Sequence, residues 1–334
     1  MKKDLVVGVI GGGRIGKLHT RNLVQMSGVT VKKVADIFAD KMPTFEAEYG
    51  APLVADFDEI FNDDEIDIVF ICTPTDTHVE MIKRAAAKKK HIFCEKPISF
   101  SDEETIETYQ IVKEAGVKFQ IGVNRRFDRN FAQVKEHVAN GSIGDIQLLR
   151  IDSRDPEAPP LSYVESSGGL FFDMMIHDFD MARFISGSEV KEVYAVGDAL
   201  VNSELKGTDV DTAVVTLTFE NGCLGVISNS RQAVYGYDQR LEAFGSKGAS
   251  QAENELVNNV TLSTVEGVHS QKPLHFFLER YNDAYIKEVE EFVAAIHNDT
   301  DTPVTYEDGI MAQRLAFAAN ESLKTGKPVQ VKKI

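Results

Sequence analysis

A short apolar run that leads into closely spaced glycines opens the chain, with the sequence VVGVIGGGRIG over residues 6–16. This order predicts a buried strand, a tight turn and then a helix. Gly11 allows the tight turn, Gly13 lets backbone N–H groups come close to a ligand, and Gly16 lets the helix pack against the strand. Because the positive end of the helix faces the turn, the segment is suited to bind the pyrophosphate of a dinucleotide.

A carboxylate further along the chain strengthens this interpretation. A second β-branched run, over residues 29–35, ends at Asp36, which lies twenty positions after Gly16. A carboxylate at the tip of the second strand accepts hydrogen bonds from the adenosine ribose hydroxyls and repels a 2′-phosphate. Ile37 offers no cation for such a phosphate, so the sequence predicts NAD rather than NADP. The alternative is an ordinary glycine turn with a solvated Asp36.

The length of 334 residues predicts two domains, over 1–122 and 123–334. Strand and helix candidates alternate over residues 1–122, which is typical of a Rossmann-type, doubly wound parallel sheet. Later strand candidates follow one another across turn signals such as residues 220–222, which predicts a C-terminal domain on a largely antiparallel, open-faced sheet. The predicted fold is therefore an α/β domain followed by an α+β domain.

Charge and cysteine usage narrow the classes of partner. The formal net charge of −16 argues against nucleic acid and anionic membranes as partners. No apolar run approaches the roughly 18 residues of a membrane span, so a small-molecule ligand is expected. The cysteines Cys72, Cys94 and Cys223 show no C-x-x-C spacing, which indicates buried thiols in a reducing cytoplasm.

Polar residues follow two of the predicted parallel strands. Lys96 lies just after such a strand, where open α/β sheets bind their ligands and where an ammonium can donate to a hydroxyl or carbonyl. An ion pair of Lys96 with Glu95 that serves only solubility is the alternative. The segment from Thr73 to His78 closes another strand and is expected beside the nicotinamide ribose, although Thr77 in it is also compatible with a simple helix cap.

A histidine flanked by carboxylates lies in a predicted helix over residues 172–186. Asp173, His177 and Asp180 are spaced i, i+4 and i+7, which places them on one helix face. A histidine one turn from a carboxylate titrates near neutral pH and suits proton exchange with an alcohol that loses a hydride. A buried core histidine and a metal-ligand pair are the alternatives; because no third ligand is evident, we expect no metal.

Two further strand ends carry arginines and carboxylates. Residues 124–128 read NRRFD and contain Arg125, and residues 153–156 read SRDP and contain Asp155. Such groups are compatible with binding of a polyol and equally with an interdomain ion pair.

Together, the glycine turn, the motifs CTP at 72–74 and EKP at 95–97, NRRFD, and GGLFFDMMIHDFD at 168–180 resemble the glucose-fructose oxidoreductase / inositol dehydrogenase / MocA family. The resemblance covers essentially the whole chain and is most similar to bacterial inositol 2-dehydrogenases. It implies a cytoplasmic, homotetrameric, NAD-dependent oxidoreductase of inositol catabolism, which oxidises a ring hydroxyl of this cyclic polyol to a ketone. Asn124 departs from the apolar residue of some relatives and leaves the stereochemical preference open.

The resemblance also implies roles for individual residues. His177 accepts the hydroxyl proton, while Lys96 orients that oxygen and is held by Asp173, so no metal is required. Substrate contacts are expected from Arg125, Asp155 and Tyr237. The expected cofactor-binding residues are Gly11, Gly13, Arg14, Ile15, Gly16, Asp36, Thr73, Pro74, His78 and Glu95. The alternatives are a dehydrogenase of another sugar or polyol and a non-catalytic NAD-binding sensor.

Overall fold

The computed structural model describes residues 4–334 and divides the chain into two compact units. The first unit contains the residues up to Asn124 together with Tyr285–Ile310, and the second contains Arg125–Ala284 with Met311–Ile334. The sequence predicts a single boundary after residue 122 and does not predict that Tyr285–Ile310 belongs to the first unit. Within the described residues, no helix combines the length and apolar character needed to cross a bilayer.

The strands are β1 Leu5–Ile10, β2 Val29–Ala35, β3 Leu53–Val54, β4 Ile68–Ile71, β5 His91–Glu95, β6 Phe119–Gly122, β7 Ile146–Arg154, β8 Val190–Asp198, β9 Thr212–Phe219, β10 Leu224–Ser230, β11 Asp238–Gly245, β12 Gly248–Ala252, β13 Leu262–Thr264, β14 Gly267–His269 and β15 Val329–Gln330. The α-helices are α1 Arg14–Val24, α2 Phe45–Tyr49, α3 Asp58–Phe61, α4 Thr75–Ala87, α5 Asp102–Ala115, α6 Arg129–Ala139, α7 Leu161–Ser167, α8 Ile176–Ser186, α9 Phe277–Arg280, α10 Asn282–Asn298 and α11 Tyr306–Thr325.

The first unit is built on a six-stranded sheet with the order β3-β2-β1-β4-β5-β6, in which every neighbouring pair is parallel. The predicted doubly wound Rossmann sheet is confirmed. Phe70 of β4 and Phe93 of β5 are fully buried, with ring centroids 4.6 Å apart. Val289, Phe292 and Val293 of α10 pack into the same core, which explains why this late helix belongs to the first unit.

Local signals define the ends of α5. The Ser101 side chain accepts a hydrogen bond from the Glu104 backbone N–H, and Gly116 ends the helix with a φ of +67°. These two residues satisfy backbone groups that the helix ends leave without partners.

The second unit is built on a seven-stranded sheet with the order β12-β11-β7-β10-β9-β8-β15. Its neighbours pair antiparallel except β7 and β10, which run parallel, so the predicted largely antiparallel sheet is confirmed. Helix α6 packs on β11 and β12, and α8 packs on β7. Along β9, buried Ala213, Val215 and Leu217 alternate with residues such as exposed Val214, as expected of a sheet covered on one face.

Candidate functional site

Close backbone packing leaves no room for a side chain at two glycines of the turn in the first unit. Gly11 has a φ of +101°, and a Cβ on it would lie 2.6 Å from the carbonyl oxygen of Cys72. A Cβ on Gly16 would lie 1.8 Å from the carbonyl oxygen of Gly11, whereas a Cβ on Gly13 would meet no atom within 4 Å. Gly11 and Gly16 therefore bring the helix against the strand, and the open space at Gly13 fits the approach of a pyrophosphate.

The carboxylate of Asp36 is fixed beside this turn. Its Oδ2 accepts a hydrogen bond from the Gly12 N–H at 2.7 Å, and its Oδ1 accepts one from the Phe38 N–H at 2.8 Å. Its own backbone N–H is bonded to Val54, which anchors it at the end of β2. Asp36 thus has the fixed orientation that binding of a ribose diol requires.

His78 links two strand-end loops of the first unit. Its Nδ1 lies 2.7 Å from the carbonyl oxygen of Pro97, and its Nε2 lies 2.8 Å from that of Thr73. Burial lowers the pKa of this imidazole, which is 1% exposed. The contact of His78 with the cofactor stays a prediction; in the structure the ring holds the loop after β4, with Thr73 and Pro74, to the loop after β5.

A buried pair anchors the strand end that carries Lys96. Glu95 Oε1 lies 2.7 Å from Nε2 of His19, and that imidazole packs edge-on against Phe93. A Cβ on Gly122 would lie 3.0 Å from the Glu95 carboxylate, so the neighbouring strand also confines this side chain. The sequence analysis did not identify His19 as the residue that holds Glu95.

In the second unit, a π-helical turn precedes α8 and changes the predicted alignment of its polar residues. Asp173 lies in this turn, Phe171–Met175, whereas His177 and Asp180 lie in α8. Asp173 accepts a hydrogen bond from Tyr163 Oη at 3.0 Å, while the fully buried Asp180 binds Arg126 at 2.6 Å. Asp173 and Asp180 therefore bind different partners, whereas His177 and Asp180, three residues apart in α8, lie on one helix face.

A guanidinium joins two of the predicted site carboxylates. Arg231 Nη1 lies 2.8 Å from Asp173 Oδ2 and 3.4 Å from Asp155 Oδ2. Burial and the nearby Asp173 raise the pKa of Asp155 to about 6, although Arg231 and Arg125 oppose this rise. Arg231 lies outside the motifs that predict the site, although it directly follows a strand, as Asp155 does.

Arg125 is buried against α8 within its own unit. Its guanidinium is paired with Asp178 and donates to Ser153 Oγ at 3.3 Å. The Asp178 carboxylate also accepts a hydrogen bond from Asn229 at 2.9 Å. This pairing lies within one unit, so it is not an interdomain ion pair, and the polyol contact of Arg125 stays a prediction. Burial raises the pKa of nearby Tyr237 well above its ordinary value, so the phenol stays protonated.

The part of the chain that the structure describes contains no candidate metal site. Across residues 4–334, no three His, Cys, Asp or Glu side chains form a group that could hold a metal ion. The three cysteines are buried and free of disulfides.

Comparisons with known proteins agree with this architecture. Residues 5–123 match the oxidoreductase family with an NAD-binding Rossmann fold, and residues 131–251 match the GFO/IDH/MocA C-terminal domain. The chain is 51% identical to an uncharacterized oxidoreductase of Bacillus subtilis, over 99% of this chain and 98% of that protein. It is 45% identical to the myo-inositol 2-dehydrogenase of Thermotoga maritima, over 98% of this chain and 99% of that enzyme.

A solved structure with ligands is also similar. The scyllo-inositol dehydrogenase of Lactobacillus casei, crystallised with bound cofactor NAD(H) and scyllo-inositol, has a TM-score of 0.91 and 33% identity. The similarity covers 98% of this chain and 99% of that one.

Proposed function

The chain belongs to the GFO/IDH/MocA family of oxidoreductases, and on that premise we propose that it is an NAD-dependent inositol 2-dehydrogenase. The substrate is a cyclic polyol, myo- or scyllo-inositol, and the product is the corresponding inosose. The observation that carries this proposal is the end-to-end similarity to the myo-inositol 2-dehydrogenase of Thermotoga maritima.

The residues that would hold NAD lie along one edge of the parallel sheet. The turn of Gly11, Gly13 and Gly16, with Arg14 and Ile15 at the start of the helix, would hold the pyrophosphate, because backbone donors and the helix dipole favour an anion there. Asp36 accepts hydrogen bonds from the adenosine ribose and disfavours a 2′-phosphate. The remaining cofactor contacts come from the loops after β4 and β5, which contain Thr73, Pro74, His78 and Glu95.

Bound NAD supplies the acceptor for the hydride that leaves the ring carbon. His177 accepts the proton of the reacting hydroxyl, so the C–O bond becomes a carbonyl. Lys96 donates a hydrogen bond to the same oxygen and stabilises the negative charge that develops on it, and Asp173 holds Lys96. Arg125, Asp155 and Tyr237 bind the other hydroxyls of the ring.

The test is turnover of the purified chain with NAD and, separately, myo-inositol, scyllo-inositol and glucose, followed by NADH absorbance. We expect NADH from at least one inositol and none from Lys96→Ala above a low residual rate. Activity with glucose alone would identify a sugar dehydrogenase. Tight NADH binding without turnover of any polyol would identify a non-catalytic sensor.

The open face of the seven-stranded sheet supports a homotetramer. Apolar side chains on it are 40–55% exposed and form two groups of register neighbours: Leu148 with Leu224 and Phe244, and Val196 with Val214. The β13–β14 hairpin carries a second apolar surface, with Leu262 and Val268 exposed. Because soluble monomers rarely expose such patches, we propose that second copies of the chain cover both, which gives the two interface types of a dihedral tetramer.

Light scattering after gel filtration tests the assembly. We expect a mass four times the 37.0 kDa of the chain, and a smaller particle for Leu224→Glu. Val24→Glu, at an exposed apolar position of the first unit, is the control that should leave the mass unchanged. A monomeric wild-type protein would contradict the proposal. The free cysteines agree with the cytoplasmic location that we also propose, which cell fractionation tests.

A further inference from the structure

Strand pairing places Arg231 beside Asp155. Strands β7 and β10 run parallel, with Arg154 in register with Ser230, so the residues that follow them emerge at the same edge. The Asp155 N–H donates to the Ser230 carbonyl at 3.0 Å, and the Arg231 N–H donates to the Asp211 carbonyl at 2.8 Å. The backbone of both residues is therefore fixed before any side-chain contact is considered.

The guanidinium of Arg231 serves two carboxylates at once. It is 4% exposed, and the same nitrogen, Nη1, contacts Asp173 at 2.8 Å and Asp155 at 3.4 Å. The side chains of Asp155 and Asp173 are 20% and 11% exposed, and two carboxylates this close to one cation repel each other. The positive charge of Arg231 favours the ionised form of Asp155. Arg231 therefore bridges the two carboxylates and lowers the pKa of Asp155 relative to burial alone.

A third carboxylate fixes the segment that carries Asp173. Asp209 accepts a hydrogen bond from the Leu170 N–H at 3.1 Å, just before the π-helical turn, and the charge of Arg231 reaches it. Gly169, with a φ of +80°, lets Asp209 approach, since a Cβ there would lie 2.7 Å from its Oδ1. The segment that carries Asp173 is thus held at its start by Asp209, and Arg231 binds Asp173 further along it.

We propose that Arg231 is a positioning residue of the dehydrogenase, which keeps the carboxylates of Asp155 and Asp173 side by side for the substrate and for the catalytic groups. This inference rests on the proposed function. It assigns Arg231 no contact with the substrate; its effect passes through the two carboxylates.

The charges around the pair define the expected pH dependence. Asp155 faces Arg231, Asp173, Arg125 and Tyr237, and its pKa of about 6 results from burial and Asp173, opposed by the two arginines. Asp173 also accepts from Tyr163 Oη. An ionised Asp155 accepts hydrogen bonds from polyol hydroxyls, and the base His177 must be neutral, so protonation of either group should lower kcat/KM on the acid side. The step that belongs to Asp155 has its midpoint at about 6. Removal of Arg231 should move this midpoint to higher pH.

The experiment compares the pH profiles of kcat/KM for the wild type, Arg231→Met and Arg231→Lys. For Arg231→Met we expect the acid midpoint to rise by about one pH unit or more and kcat/KM at neutral pH to fall about 10- to 100-fold. Arg231→Lys keeps the charge but loses the planar fork, so its midpoint should stay nearer that of the wild type. The control is Arg183→Met, which removes a similarly buried guanidinium bonded to Glu189 at the far end of α8.

A second measurement needs no substrate. Potentiometric difference titration of each protein against its Asp155→Asn counterpart gives the pKa of Asp155 directly, and Arg231→Met should raise it. If the wild type oxidises no inositol but this rise is observed, the proposed function fails and control of the carboxylate pair by Arg231 stands. The inference is overturned if inositol is oxidised but neither the pKa of Asp155 nor the acid midpoint of kcat/KM changes in Arg231→Met or Arg231→Lys. A lower melting temperature of these variants would not alter that conclusion.

Discussion

The glycine turn of the first unit and the carboxylate cluster of the second are built in opposite ways. The turn, with Asp36, comes from residues 11–36 and presents backbone N–H groups whose positions depend on the absence of side chains. The cluster of Asp155, Asp173 and Arg231 consists of side chains from distant segments, and Asp155 and Arg231 are 76 positions apart. A site made of backbone is visible as a local spacing, whereas a site made of side chains depends on how strands pair.

The largest expected effect separates chemistry from cofactor binding. His177→Ala should lower kcat about 100- to 10,000-fold, because the hydroxyl proton loses its acceptor. The affinity for NADH, measured by fluorescence titration, should stay nearly unchanged because the glycine turn is intact. His137→Ala, which removes a histidine bonded to Ser250, is the control. Normal turnover of His177→Ala would show that the second unit does not carry the base.

Two substitutions within the turn should separate stability from binding. Gly16→Ala forces a Cβ against the Gly11 carbonyl and should destabilise the fold by about 1–3 kcal/mol, as overpacking does. Gly13→Ala meets no protein atom and should leave the melting temperature unchanged while it weakens NADH binding. Calorimetry and fluorescence titration measure the two effects. Equal loss of stability in both variants would contradict the division of roles between these glycines.

The smallest effect concerns the choice of cofactor. Asp36→Ser removes the charge that repels a 2′-phosphate and should shift the ratio of kcat/KM for NAD over NADP toward NADP by about tenfold, which corresponds to about 1.4 kcal/mol. Asp40→Ser, four residues further on, is a matched control for the loss of one acidic charge nearby. An unchanged ratio in Asp36→Ser would mean that its carboxylate does not reach the ribose.

Local signals predict much of this fold because they act over a few residues. The ends of α5 follow from Ser101 and Gly116, and the turn at residues 220–222, with Gly222 at a φ of +89°, joins β9 to β10 as an antiparallel pair. The parallel order of the first sheet follows from alternation of strands and helices. Gly11 and Gly16 were predictable because few other residues tolerate their surroundings.

The partners of the site residues were not predictable in this way. Nothing in the sequence around residue 231 shows that β10 lies parallel to β7, since β8 and β9 intervene in the chain. The pairing of Arg125 with Asp178 likewise depends on where α8 packs. The π-helical turn before α8 has no local spacing signal; Asp173 lies in this turn, whereas Asp180 lies in the regular helix and binds Arg126.

The return of α10 to the nucleotide-binding sheet has a consequence for protein synthesis and for engineering. A ribosome has released most of the polypeptide before Val289, Phe292 and Val293 can close over Phe70 and Phe93. Each such apolar side chain left in water forfeits about 1.5–3 kcal/mol. A fragment that ends at Asn124 therefore lacks part of its own interior, so chimeras that exchange nucleotide-binding halves need to transfer residues 285–310 as well.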